Sequence, residues 1–133
     1  MGKYFTVGEL CESSTAKAEG IKNIPDGMQV GRLKSLIEKV LDPLREAYGK
    51  PIYVNSGFRN DELNKEVGGV ATSQHRRGEA ADISAGSIKE NEKLFNLIQE
   101  LNLPFDQLIN ESNFSWVHVS YSQERQRKQI LKL

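Results

Sequence analysis

Two histidines and one aspartate are the side chains of this sequence best suited to chemistry. His75 and Asp82 lie in one short stretch, and His118 lies in a later run with strand character. Two imidazoles and a carboxylate on separate segments can supply three ligands to zinc and leave the fourth position to water. An open position of this kind is typical of catalytic sites, because zinc activates water near neutral pH. The pattern therefore predicts a hydrolytic zinc centre.

Three motifs in order extend this pattern over most of the chain. Residues 73–82 have the form S-x-H-x-x-G-x-A-x-D, Ser56-Gly57-Phe58-Arg59 precedes them, and Trp116-Val117-His118-Val119 follows. In these motifs the sequence resembles the zinc D-alanyl-D-alanine carboxypeptidases, a family that also contains the L-alanyl-D-glutamate endopeptidases of bacteriophage lysis. The H-E-x-x-H pattern of other zinc peptidases is absent. The resemblance implies Zn²⁺ as cofactor, a bacterial peptidoglycan peptide as substrate, and His75, Asp82 and His118 as metal ligands.

Three residues near these motifs are candidates for substrate binding. The guanidinium of Arg59 is a planar fork that can bind a carboxylate or polarise the scissile carbonyl. A surface ion pair is the alternative for this residue, but the resemblance places the arginine of its motif against substrate. Ser73 and Gln74 are turn residues by type. Since the serine flanks the metal in the family pattern, we predict substrate contacts for both.

The general base is the point at which this sequence departs from the better-known members of the family. They have an acidic residue three positions before the last histidine, where this chain has Ser115. Glu111 is the nearest acidic substitute. A hairpin with a four-residue loop pairs Glu111 with Trp116 and turns Glu111 to the face of His118. We therefore predict Glu111 as the catalytic base, with Glu79 as the weaker alternative.

The elements that position these residues follow from capping patterns and periodicity. Apolar residues at helical spacing predict a main helix, interrupted near Pro43 and ended at Gly49, and Ser87 begins a second long helix. The pattern predicts an α+β fold, in which a small antiparallel sheet holds the zinc site on one face and helices pack on the other. Strands are predicted over 51–55, 79–84, 106–111 and 116–121, and a short helix or frayed tail over 122–133.

Length, charge and cysteine content limit the remaining classes. The 133 residues fit one domain, predicted over 1–133, and the 18 basic and 18 acidic residues give no electrostatic reason to expect nucleic acid. Cys11 is the single cysteine, which excludes an internal disulfide. No apolar run approaches the length of a membrane span, and the first residues lack a secretory signal. We expect a monomer made in the cytoplasm.

The function predicted from the sequence is zinc-dependent hydrolysis of a bacterial stem peptide at a bond that involves a D-amino acid. The expected setting is a phage or prophage endolysin that reaches the cell wall after release by a separate membrane pore. Carboxypeptidase and endopeptidase activity both fit the motifs. The alternative from another class is a module that retains zinc without turnover and binds wall peptide or a protein partner, which Ser115 favours.

Overall fold

The computed structural model describes residues 3–133, so Met1 and Gly2 of the predicted domain 1–133 lie outside the described residues. A π-helical segment spans Ile37–Leu41, and a 3₁₀ helix spans Gln74–Arg77. The helices are α1 (Val7–Leu10), α2 (Ser14–Glu19), α3 (Gly27–Leu36), α4 (Asp42–Tyr48), α5 (Asp61–Glu66) and α6 (Ile88–Glu100). The strands are β1 (Tyr53–Ser56), β2 (Ala80–Ser84), β3 (Gln107–Glu111), β4 (Trp116–Ser120) and β5 (Gln129–Lys132).

The predicted main helix is a composite of α3, the π-helical segment and α4. Asp26 begins it with a capping box, because its side chain accepts from the N–H of Gln29 while the Gln29 side chain accepts from the N–H of Asp26. The π-helical segment lies directly before Pro43, which has no N–H to give to the helix. The interruption expected near Pro43 is confirmed. Within residues 3–133, no helix combines the length and the hydropathy that a membrane crossing requires.

The five strands form one open sheet in the order β1-β2-β4-β3-β5. The first three neighbouring pairs are antiparallel, and β3 pairs with β5 in parallel. The predicted α+β fold with an antiparallel sheet is therefore confirmed, with one parallel pair added at the edge.

The prediction of a short helix or frayed tail over 122–133 is wrong for its last part, where Gln129–Lys132 forms β5. An ion pair with a buried carboxylate holds this segment against the sheet. The Nε and Nη2 of Arg127 donate to the Asp106 carboxylate at 2.7 and 2.9 Å. Asp106, the residue before β3, is completely buried, so its charge requires a partner, and Arg127 supplies it.

The two faces of the sheet differ because successive residues of a strand point to opposite sides. Ile83 of β2 and Val117 of β4 are paired, completely buried and part of the same core cluster as Leu94 of α6. Asp82 and His118, one position along on each strand, are paired on the opposite face and only half-buried. The helical layer thus covers one face and leaves the other to polar residues, as predicted.

Candidate metal centre

His75, Asp82 and His118 converge on the polar face of the sheet. Each offers one ligand atom, and the three atoms lie within 4.8 Å of one another. Asp82 Oδ1 is 2.9 Å from His118 Nδ1 and 3.4 Å from His75 Nε2. Two imidazole nitrogens and one carboxylate oxygen at this separation fit a zinc ion and leave a coordination position for water. The structure thus brings together the three predicted ligands as a candidate zinc site.

Strand register places two of the ligands, and a tight turn places the third. Asp82 and His118 are direct partners across β2 and β4, so their side chains share one face. His75 lies in the 3₁₀ helix, which ends at Gly78 in a left-handed conformation with φ of +80°. A Cβ at Gly78 would lie 2.7 Å from the carbonyl oxygen of Gln29. Glycine is therefore required for both the turn and the close packing on α3.

The ring of His75 is held by the segment that follows β1. Its Nδ1 donates a 2.7 Å hydrogen bond to the carbonyl of Gly57, which leaves Nε2 free to face Asp82. The N–H of Arg59 donates to the carbonyl of His75 at 3.0 Å. A hydrogen bond of this kind fixes the tautomer and the orientation of a metal-binding histidine. Sequence reasoning missed this supporting role of Gly57, because a main-chain carbonyl leaves no signal in residue type.

The electrostatics of the three residues keep Asp82 ionised. Burial alone would raise the pKa of Asp82, but hydrogen bonds from His118 and His75 hold that pKa well below its ordinary value. A charged carboxylate between two imidazoles is the state that binds a divalent cation most strongly. The site is therefore prepared for a cation before one arrives.

Arg59 lies beside this group and has an unused donor. Its Nε is buried and has no hydrogen-bond partner among residues 3–133. Burial lowers the pKa of the guanidinium, and the charge of Asp82 partly opposes this effect. Arg59 and Asp82 both line a cavity of about 210 Å³. An unpaired buried donor at a cavity fits a carboxylate or carbonyl ligand, and the predicted substrate contact of Arg59 stays a prediction.

Glu111 lies at the end of β3, in the predicted register. It is paired with Trp116, and Ile109 is paired with His118, so the hairpin expected from the four-residue loop is confirmed. Burial raises the pKa of the Glu111 carboxyl, and the negative charge of Asp82 adds to this rise. Glu111 and His118 line one cavity of about 440 Å³. A carboxyl with a raised pKa at this place is suited to proton transfer.

Comparison with known proteins agrees with this geometry. The family model described as peptidase M15 matches residues 3–120, which include the three candidate ligands. The chain belongs to the peptidase M15 family. The zinc D-Ala-D-Ala carboxypeptidase of Streptomyces albus G is 52% identical over 48 residues, which are 35% of this chain and 19% of that relative. The matched segment therefore spans about a fifth of that relative's length. Family membership confirms the resemblance inferred from the motifs.

Ser73 and Gln74, the two other residues predicted to bind substrate, form hydrogen bonds within the protein. The hydroxyl of Ser73 accepts from the N–H of His75 at 3.1 Å and so caps the 3₁₀ helix. Gln74 is buried, and its Nε2 donates to Asp106 at 3.1 Å and to Glu79 at 3.4 Å. Both residues also line the 440 Å³ cavity, and the Gln74 Oε1 has no partner among residues 3–133. Their contact with substrate stays a prediction.

Glu79, the alternative base, belongs to a polar network of this M15 chain. The residue is buried, and its carboxylate accepts from Arg77 Nε at 3.0 Å and from Gln74 Nε2 at 3.4 Å. It lines two cavities that contain none of the three candidate ligands. Glu111, in contrast, lines the 440 Å³ cavity together with His118, and its role as the base stays a prediction.

Proposed function

We propose that this M15 zinc peptidase hydrolyses a stem peptide of the bacterial cell wall at a bond involving a D-amino acid. The supporting observation is that Asp82 lines one cavity at the candidate metal centre and His118 lines another. The smaller cavity contains Arg59 and the larger contains Glu111. Two cavities that each reach a candidate metal ligand can hold the parts of a peptide on the two sides of its scissile bond. The name of the Streptomyces relative supports a D-alanyl bond.

Each polar residue has one task in this proposal. A zinc ion held by the three ligands supplies a Lewis acid and a polarised water. Arg59 holds a carboxylate or carbonyl oxygen of the substrate and fixes the scissile bond beside the ligands. Glu111 accepts a proton from the attacking water and then donates it to the leaving amine. Its raised pKa suits both steps, because the same carboxyl acts first as base and then as acid.

The cellular setting that we propose is bacteriophage lysis. The resemblance to lysis endopeptidases supports an endolysin that is synthesised in the cytoplasm and acts on the wall after release through a separate pore. The balanced charge of 18 basic and 18 acidic residues supports a role without nucleic acid. A monomer suffices for this account, since all residues of the proposed mechanism lie in one chain.

One observation favours a second function, a module that binds zinc and wall peptide without turnover. Ser115 occupies the position at which related enzymes have their acid, and its hydroxyl donates to the Ser112 carbonyl at 2.7 Å within the hairpin turn. A hydroxyl used in this way cannot serve as the base. The enzyme therefore needs a different base, for which Glu111 is the first candidate and Glu79 the second, and the module follows if the zinc-loaded parent cleaves no wall peptide.

Digestion of defined stem peptides distinguishes the two functions. The zinc-loaded protein is incubated with purified peptides, and the products are identified by mass, with His118→Ala as the inactive control. Release of a terminal D-alanine identifies a carboxypeptidase, and release of L-alanine from D-glutamate identifies an endopeptidase. Either result supports the proposal. A zinc-loaded parent that cleaves none of these peptides would replace it with the binding module.

A further inference from the structure

The larger cavity has one wall outside the part of the chain that matches the family. It occupies about 440 Å³ and is lined by Glu111 and His118 together with Arg125 and Arg127. Both arginines belong to the segment that follows β4, whereas the family match ends at residue 120. This segment is held in place by β5 and by the buried carboxylate of Asp106. The chain thus adds two cationic side chains to the cavity that contains the proposed base.

The two arginines differ in how far their donors are already used. Arg127 makes a bidentate pair with Asp106, so its fork is occupied by a structural contact. Arg125 approaches the same carboxylate through one atom pair, Nε to Oδ2 at 3.4 Å, and its side chain is 54% exposed. Since Arg127 already neutralises the Asp106 charge, Arg125 is the arginine of this cavity that is free to bind a ligand.

The residues that line the larger cavity favour a ligand that carries a carboxylate. A guanidinium presents a planar fork that matches a carboxylate and forms two parallel hydrogen bonds with it. Glu111 in the same cavity repels an anion, so an acidic group is most stable at Arg125 and away from Glu111. Because His118 and Arg125 line the same cavity, a peptide with its scissile bond beside His118 has space to place a neighbouring acidic residue against Arg125.

We propose that this cavity is a subsite for a carboxylate-bearing residue of the peptide substrate, and that Arg125 determines the preference for that residue. The inference rests on the proposed peptidase function and adds to it the charge of a residue that flanks the cleaved bond. It is separate from the contact of Arg59, which lines the smaller cavity.

Two matched peptides test the subsite. One is a synthetic stem peptide with a free carboxyl group on the residue next to the cleaved bond, and the other has that carboxyl converted to an amide. The KM of the parent should be about tenfold lower for the acid than for the amide, a ratio that corresponds to the free energy of one charge-assisted hydrogen bond. Arg125→Gln should remove the preference through KM with kcat retained, and Arg125→Lys should retain part of it. Arg32→Gln, an arginine that lines a different cavity, should keep the full preference.

Calorimetric binding of the same peptides separates this inference from the proposed function. If the parent binds the acid about tenfold more tightly than the amide, and Arg125→Gln does not, the subsite is supported even where no peptide is cleaved. Cleavage of acid and amide with equal KM would overturn the subsite and leave the peptidase intact. A preference that survives in Arg125→Gln, or no binding of either peptide, would also overturn the subsite.

Discussion

The carbonyl of Gly57 accepts a 2.7 Å hydrogen bond from Nδ1 of His75, and this contact fixes which ring nitrogen faces Asp82. The contact depends on a close approach of the main chain, since Phe58 N donates to Leu10 O at 2.7 Å beside it. A Cβ at Gly57 would lie 2.2 Å from that Leu10 oxygen. The segment after β1 therefore supports the metal centre through its backbone.

Gly57→Ala should weaken zinc binding although it changes no ligand. The added Cβ displaces the carbonyl that orients His75, and loss of such a partner typically lowers metal affinity by about 10–100-fold. Competition with a chelator measures the affinity. Gly31→Ala is the matched control, because a Cβ there meets no atom within 4 Å. Equal zinc affinity in Gly57→Ala and the parent would show that the carbonyl does not orient the ring.

Arg59→Lys should impair turnover and leave zinc content unchanged. Lysine keeps the positive charge but cannot form two parallel bonds to a planar carboxylate. The loss of one such contact corresponds to about a tenfold fall in kcat/KM. Steady-state kinetics with a stem peptide and metal analysis of the same sample give both values. Full activity of the lysine variant would show that Arg59 contributes only its positive charge and not the planar geometry of its guanidinium.

Glu111→Gln should lower the rate of hydrolysis by about 10²–10⁴-fold with zinc retained. Glutamine keeps the shape of the side chain and its hydrogen bonding but cannot accept the proton. Product formation from a stem peptide and zinc content are measured together. An unchanged rate would transfer the role to another group, of which Glu79 is the first to test.

Asp106→Asn should destabilise the protein at neutral pH by about 2 kcal/mol, because it removes the acceptor of charge-assisted bonds from Arg127. Burial alone would raise the pKa of Asp106, but these bonds hold it below the ordinary value. A carboxyl whose pKa is lower in the folded state stabilises the fold above about pH 4, and this contribution is lost as the pH falls through the folded pKa.

Urea unfolding at neutral pH and near pH 3 measures this effect. The parent should lose more stability on acidification than Asp106→Asn does. Asp61→Asn is the control, since the side chain of Asp61 is 81% exposed and its ion pair with Arg76 contributes little. The same acid dependence in the parent and in Asp106→Asn would show that this ion pair does not anchor the C-terminal segment.

The sequence predicted the features that depend on local pattern. The four-residue loop after Glu111 fixes the hairpin register, so the face of Glu111 followed from counting residues. The alternation of side chains along β2 likewise placed Asp82 and Ile83 on opposite faces of the sheet. These relations depend on backbone periodicity alone, and no distant contact changed them.

The features that the sequence did not predict depend on contacts between distant residues. Strand β5 pairs with β3 directly after Arg127, which contacts the buried Asp106, and its own residues Gln129–Lys132 do not alternate between buried and exposed positions. Gln74 has the residue type of a turn, but the same Asp106 carboxylate draws its amide into the interior. The contacts of Arg127 and Gln74 with Asp106 do not follow from the spacing of residue types along the chain, so the sequence alone did not predict them.

Zinc titration of the metal-free protein tests the central claim most directly. Hydrolysis of a stem peptide is measured as zinc is added to the parent and to the His75→Ala, His118→Ala double variant. The parent should gain activity in proportion to bound zinc and saturate at one ion per chain, whereas the double variant should bind no zinc tightly and remain inactive. Full zinc occupancy in the double variant, or hydrolysis by the parent without zinc, would contradict the account.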